Sequence, residues 1–453
     1  MAALVVGAVL LTPAVLWAHA RLTRSEPSAK ARLEAAPTVV RLWFSEAPEL
    51  AVSSVVVKDS TGAVMAVGPL ERDTSKLGVR AAVLSRLAPG TYTVTWRVAA
   101  ADGHPTTGTF SFTVLATAQS VVVADTVGAI HPDSGLSKPS DDARAVTPVE
   151  SPRFVAVRGV QLAALLVLIG AIVFRFGVVD RSAELTPELR AALYRRLATV
   201  AMVAALFVLL ADAARLELQK EILGGEPSHL VHIRILAANT EWGRAWLMQV
   251  GVAIVMGVAI WLGRRGQFAA WVAAAVGAIA LAVSPALGGH AAASASSRSL
   301  AIGADALHVL AAAGWMGSLF CLVTVALPVV VAGEGDDRWR SVASLVAAFS
   351  PLALLSAAVV LLSGVVSAWL RMGALAPLWT TDYGRVLLIK LAMLAAVAAT
   401  GAYNWRRVQP TLGTAPATSR LRKTATTELA LGAAVVIVTA ILVAMPTPLD
   451  LSR

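Results

Sequence analysis

The sequence predicts two folds in one chain. An N-terminal all-β Greek-key (Ig-like) sandwich precedes a C-terminal all-α polytopic membrane bundle of about eight helices. Three observations predict this. The composition is too apolar for a purely soluble protein, 57% hydrophobic against 15% charged with a mean hydropathy of +0.71. Between residues 19 and 115, short β-branched runs recur between turn signals, with no helical period. From about residue 153 onward, eight apolar runs each reach the roughly 20 residues that cross hydrocarbon.

The chain opens with AALVVGAVLLTPAVLW, residues 2–17, too short to span a bilayer but right for a signal-peptide core. Residues 1–18 are expected to be removed by a cut after Ala18, which leaves His19 as the mature N-terminus. A competing cut at Ala20 discards that histidine.

The sandwich is expected over residues 19–115, with about seven strands. Six of their runs are TVVRLWFS, VSSVVVKD, AVMAVG, GVRAAVL, GTYTVTWRVA and GTFSFTVL. Thr61-Gly62, Gly68-Pro69 and Pro89-Gly90 supply turns between them. Trp43, Tyr92 and Trp96 lie in strands and are expected in the core. Residues 116–152 are rich in Pro, Ser and Asp without periodicity and read as a flexible linker.

The membrane domain, 153–448, holds apolar spans at 154–179, 191–215, 244–262, 268–288, 300–331, 341–371, 385–404 and 427–446. With the linker outside, the inner loops carry thirteen Lys and Arg, and the outer segments four: Lys220, Arg234, Arg298 and Arg371. That bias obeys the positive-inside rule and agrees with a secreted N-terminal domain. The expected location is a bacterial inner membrane, with the sandwich on the periplasmic side. The net charge of +10 suggests no nucleic acid, because the basic residues sit in short loops and form no aromatic-laced face. One cysteine, Cys321, lies inside an apolar run, which excludes an intramolecular disulfide framework and a thiolate cluster.

In this topology all seven histidines fall outside or in the outer part of the membrane. Imidazole is the commonest transition-metal ligand. A mature N-terminal His19 would offer its α-amine and its Nδ1 as one chelate. A second imidazole makes three nitrogens in a T-shape, an arrangement that favours Cu(II). Asp102 and His104, two apart around Gly103, point to one side of a hairpin and supply that imidazole together with an axial or hydrogen-bonding carboxylate. Taken alone, a D-G-H run is more often a turn with a solvated histidine.

In the membrane, Asp305 and His308 are three apart on one helix face, His308 about 12 Å along its span. His290 sits at the exit of the preceding helix and is expected to converge with them. The alternative has Asp305 solvated and His308 bonded to a backbone carbonyl. Lys390 either snorkels to the headgroups or faces the interior. Glu428 reads as interfacial. Met248, Met372 and Met445 are soft enough to pass Cu(I), although packing is the commoner role of such methionines. His131 in the linker and the pair His229 and His232 read as incidental.

The stretches HARLTRSEPSAKARLEAAPTVVRLWFSEAPE and LAPGTYTVTWRVAAADGHPTTGTFSFTV resemble the periplasmic copper-binding family CopC. That resemblance implies Cu(II) ligation by His19, Asp102 and His104. Glu46 of the FSE run also matches the family pattern, and reads as a surface carboxylate. The motifs GGHAAA, DALHVLAAAGWMGSL, DYGRVLLIKLAML with YNW, and TELALG resemble, in order, the CopD family. Together they imply a fused protein that captures Cu(II) outside and moves copper across the inner membrane, with periplasmic copper chaperones as expected protein partners. No G-x-x-x-x-G-K-[ST] loop appears, so a binding and transport protein is expected rather than an enzyme. The competing reading is a membrane metalloreductase or haem-binding redox protein, for which His290 and His308 are the only plausible axial pair.

Overall fold

The computed structural model describes residues 21–100, 103, 105–116, 151–223, 234, 237–288, 298–445 and 447–448. They form two compact units, one of strands and one of helices.

The strand unit contains β1 (Leu22–Glu26), β2 (Arg32–Leu33), β3 (Val39–Phe44), β4 (Ser54–Lys58), β5 (Val64–Met65), β6 (Glu71–Arg72), β7 (Gly78–Ala82), β8 (Gly90–Ala99) and β9 (Pro105–Val114). One sheet runs β1-β3-β7-β6 and the other β2-β9-β8-β4-β5. Nine strands therefore occur where about seven are expected. The extra ones include two-residue strands, too short to show alternation in the sequence.

Period-two burial builds the core. Tyr92, Val94, Trp96 and Val98 of β8 are buried and meet Val40, Leu42 and Phe44 of β3. Trp96 stands edge-on to Phe44, with ring centroids 5.1 Å apart. Across the ladder, Trp96 faces Gly108, where a Cβ would lie 2.4 Å from the indole. The Tyr92 hydroxyl donates to the Ala88 carbonyl at 2.8 Å, a tyrosine corner of the sandwich type. Trp43 departs from expectation. It is only half-buried, and the Arg24 guanidinium lies 4.6 Å from its ring centroid.

The β8–β9 hairpin is paired from Gly90↔Val114 to Ala99↔Pro105, so its tip carries residues 100–104. Gly103 has φ 84° and donates its N–H to the Ala100 carbonyl at 2.9 Å. Only glycine adopts that conformation without cost. Asp102 and His104, on either side, lie outside the described residues, as does His19.

Among the described residues of the helical unit, eight helices are long and apolar enough to cross a membrane. They are α1 (Pro152–Val179), α2 (Pro187–Glu221), α3 (Glu241–Arg264), α4 (Phe268–Leu287), α5 (Arg298–Val331), α6 (Asp337–Met372), α7 (Asp382–Thr411) and α8 (Ala415–Val443). Val255, Leu355 and Leu362 are among the large apolar side chains left exposed, as befits a bundle whose solvent is lipid. Helix starts carry caps: the Ser151, Thr381 and Thr414 side chains accept from Phe154, Gly384 and Ala417 N–H.

Helices α1 and α5 touch backbone to backbone. A Cβ on Gly170 would lie 2.5 Å from Gly317 Cα, and one on Gly317 would lie 2.0 Å from the Leu166 carbonyl oxygen. Around this contact α5 contains two π-helical turns, Ala313–Gly317 and Leu322–Ala326. Just beyond this contact on α1, the Arg175 guanidinium pairs with Asp180 at 3.0 Å. It also lies within 5.6 Å of the ring centroids of Phe176, Tyr194, Phe268 and Trp271, tying α1, α2 and α4 together.

Gly317→Ala is expected to lower the thermal stability of the purified chain in detergent by about 1–3 kcal/mol, the usual cost of forced overpacking. Gly303→Ala, on the same helix with open space beside it, is expected to leave stability unchanged or slightly raised.

Candidate functional site

The polar residues of α5–α8 gather into two clusters. The first surrounds Asp305 and His308, both on α5, which point at the same stretch of α6. Ser363 Oγ lies 2.6 Å from the Val359 carbonyl, which takes its only proton. The 3.1 Å contact between Ser363 Oγ and His308 Nδ1 suits an imidazole donor. In that Nδ1–H tautomer Nε2 keeps its lone pair. Gly364 lets the ring lie close to α6, since a Cβ there would come within 3.3 Å of His308 Cε1.

One turn along each helix, Ser367 Oγ donates to Asp305 Oδ1 at 2.8 Å and Arg371 Nη2 to Oδ2 at 2.6 Å. Ser363, Ser367 and Arg371 follow each other at four-residue spacing, so one face of α6 carries the whole set of partners. Lys390, half-buried on α7, lies within electrostatic reach of His308, Asp305 and Arg371. His290 falls outside the described residues, so its approach to His308 is not part of this geometry. Among the described residues no three His, Cys, Asp or Glu side chains converge as a metal site. The carboxylate of Asp305 is only partly exposed. Both of its oxygens are already engaged.

The second cluster centres on Glu428 of α8. Its Oε1 accepts from Trp315 Nε1 and its Oε2 from Asn404 Nδ2, each at 3.2 Å. The interfacial position expected for Glu428 is corrected here. The residue is 4% exposed, because Trp315 and Asn404 close over it and Gly401 lets α7 approach. A cavity of about 230 Å³ opens beside it, lined by Trp315, Phe349, Ser350, Asn404 and Gln409 among others. Trp315, Asn404 and Glu428 come from three separate motifs of the sequence and meet at one carboxylate.

Elsewhere, Met372 and Met445 share a small buried cluster with Tyr383, Leu387 and Leu442, whereas Met248 stands apart, half-buried on α3. Glu46 follows β3 by two residues and is partly buried rather than fully exposed. Sequence reasoning did not find Ser363, Ser367, Arg371 or Asn404 as partners. Their one legible signal was a polar side chain recurring every fourth residue in an apolar helix, from Ser363 to Arg371.

Arg371→Leu is expected to destabilise the bundle by about 3 kcal/mol, because it strands the Asp305 charge. The double variant Asp305→Asn with Arg371→Leu is expected to regain most of that loss. Thermal unfolding of the four proteins of the cycle in detergent measures the coupling.

Comparison with known proteins fits this architecture. The CopC domain matches residues 22–115, the copper resistance protein D-like N-terminal domain residues 149–300, and copper resistance protein D residues 343–442. Copper transport protein CutJ of Bacillus subtilis is 25% identical over 444 residues, spanning 96% of this chain and 76% of that protein. Protein YobA of Escherichia coli is 41% identical over 108 residues, covering 23% of this chain and 85% of its own length. The crystal structure of CopC from Methylosinus trichosporium is 35% identical and covers 21% of this chain and 94% of that one, with a TM-score of 0.20. A strand unit matched by the one module and a helical unit matched by the other two, with a relative running through both, make this chain a CopC–CopD fusion.

Proposed function

We propose that this protein captures Cu(II) on the periplasmic side of a bacterial inner membrane and passes copper inward through its helical bundle. The observation that carries this reading is the union of both modules in one chain, matched over 96% of its length by a protein named for copper transport. Copper is the cargo throughout.

The capture site consists of the freed amine and imidazole of His19, the imidazole of His104 and the carboxylate of Asp102. The sharp β8–β9 tip supports it, because Gly103 at φ 84° turns the chain between the two side chains. The α-amine and two imidazoles are hard-to-borderline nitrogen donors, the set that Cu(II) prefers. Glu46 acts outside the ligand set, as a carboxylate of the surrounding surface.

In the membrane the receiving group is His308. Its Nδ1 faces Ser363, which orients the ring and leaves Nε2 to ligate, the usual division of labour in a metal-binding histidine. His290 supplies a second imidazole. Asp305 joins only when Arg371 releases it, so the ion pair works as a latch that incoming copper competes for. Lys390 sets the local charge. Met372 and Met445, at the outer ends of α6 and α8, offer soft thioethers that suit Cu(I) on the way in. The sandwich faces the periplasm and the basic loops the cytoplasm, as the charge bias requires.

His104→Ala is expected to abolish tight Cu(II) binding by the secreted half, read by isothermal titration of the full chain. His308→Ala is expected to leave that binding intact and to stop copper accumulation in cells, read by elemental analysis. Unchanged Cu(II) affinity in the first variant, or normal uptake in the second, refutes the corresponding site.

The topology is tested with Cys321 as a silent background, since it is fully buried. Ser134→Cys is expected to react with an impermeant maleimide in intact spheroplasts. Gly266→Cys is expected to react only after the membrane is permeabilised.

A further inference from the structure

The helices α1–α4 hold a buried polar network that the copper reading does not use. Its centre is Asp212 of α2, 0% exposed. Oδ1 of this carboxylate accepts from Gln161 Nε2 of α1 and, at 2.8 Å, from Gln249 Nε2 of α3. The two amides are themselves fixed. Arg215 Nη1 donates to Gln161 Oε1 at 3.0 Å, and Ser284 Oγ of α4 lies 2.8 Å from both Gln249 Oε1 and the Leu281 carbonyl, sharing its one proton between them. Trp246 Nε1 donates to the Asp212 carbonyl at 2.9 Å, closing the network on the backbone side. Two helices thus reach one carboxylate oxygen of α2 directly, and α4 joins the network through Gln249.

The other oxygen, Oδ2, is buried and has no hydrogen-bond partner among the described residues. Of the groups facing Asp212 from α1, α3 and α4, namely Gln161, Gln249, Trp246 and Ser284, none is charged. Arg215, on α2 itself, acts on the carboxylate through space. Arg158, one turn before Gln161, is the buried charge of the same part of α1.

We propose that Asp212 is a proton-binding site of the membrane half, with Oδ2 as the atom that takes the proton. The donor set selects this ligand. Gln161 Oε1 is turned to Arg215 and Gln249 Oε1 to Ser284, so neither amide oxygen is offered to a metal ion at Oδ2. A proton needs no such shell. Its addition to Oδ2 removes the cost of an ionised carboxylate in an apolar interior and keeps both amide bonds to Oδ1. The two forms differ by one proton and share one hydrogen-bond framework.

The site lies on the outer side. Gln161 is about 14 Å from the start of α1 and Gln249 about 12 Å from the start of α3, by helical rise. Ser284 stands three residues before the end of α4. By the positive-inside assignment these are the periplasmic ends. An ionisable group at that depth in a span is most often part of an ion or proton path. The proposal stands apart from the copper reading and does not need it.

The test is infrared spectroscopy of the full chain in lipid bilayers as the pH is lowered. The wild type is expected to gain a protonated-carboxyl stretching band that Asp212→Asn loses by one carboxyl equivalent. Asp212→Glu is expected to keep the band at a shifted frequency. An Asp212→Asn protein with the same titrating band as the wild type overturns the proposal. Should Asp212→Asn fail to fold, Gln249→Leu decides the matter. It removes one donor from Oδ1, which favoured the ionised form, and so is expected to move the midpoint of the band to higher pH. An unmoved midpoint overturns the proposal equally.

Discussion

The bundle depends on the crossing of α1 and α5 at Gly170 and Gly317. Lipid gives helices no hydrophobic reason to associate, so close packing and buried polar contacts must hold them together. At this crossing two backbones meet with no side chain between them. Nothing larger than glycine fits at Gly317 without displacing the Leu166 carbonyl. Through this contact the first four helices, which hold the Asp212 network, are fastened to α5, which contributes to both of the other polar clusters.

The π turn at Ala313–Gly317 follows from the same contact. An extra residue in a helical turn rotates everything beyond it relative to what precedes it. His308, before the turn, faces α6 and meets Ser363. Trp315, within it, sends its indole to Glu428 on α8. In a regular helix, residues seven apart lie on nearly one face, which is how the sequence alone would place them. The widened turn separates them, and one helix thereby serves two sites at different depths.

Much of this architecture was legible in the sequence. The apolar runs gave all eight spans, because hydropathy measures the very property that a bilayer selects. The helices run past the apolar limits at their ends. The eighth begins at Ala415 rather than near Thr427, since Arg420, Arg422 and Lys423 are good helix formers that extend it toward water. In the sandwich the six long runs were readable, whereas β2 and β6, two residues each, have no period to read. At the outer cluster, spacing put Asp305 and His308 on one face. Their partners lay 55 to 66 residues away on α6, where only three-dimensional packing names them. Glu428 was misread for a related reason. A carboxylate near the end of an apolar run looks interfacial until two donors from distant helices are seen to cover it. Asp212 sat in plain view as a lone acid in LLADAARL, but nothing local announces that Gln161 and Gln249 converge on it.

The charges around His308 bear on which form of copper the membrane half receives. Asp305 brings one negative charge, Arg371 one positive, and Lys390 a second positive in its protonated form. A dication at Nε2 of His308 meets that excess with twice the repulsion felt by a monocation, in a medium where charges are poorly screened. Cu(I) is therefore the easier passenger at this position, and the soft sulfurs of Met372 and Met445 favour the same ion. The nitrogen-rich capture site proposed outside would prefer the oxidised one. If both sites act as proposed, the electron must be gained between the sandwich and the first imidazole of the bundle. The chemistry of that step then belongs at the outer surface rather than within the membrane path.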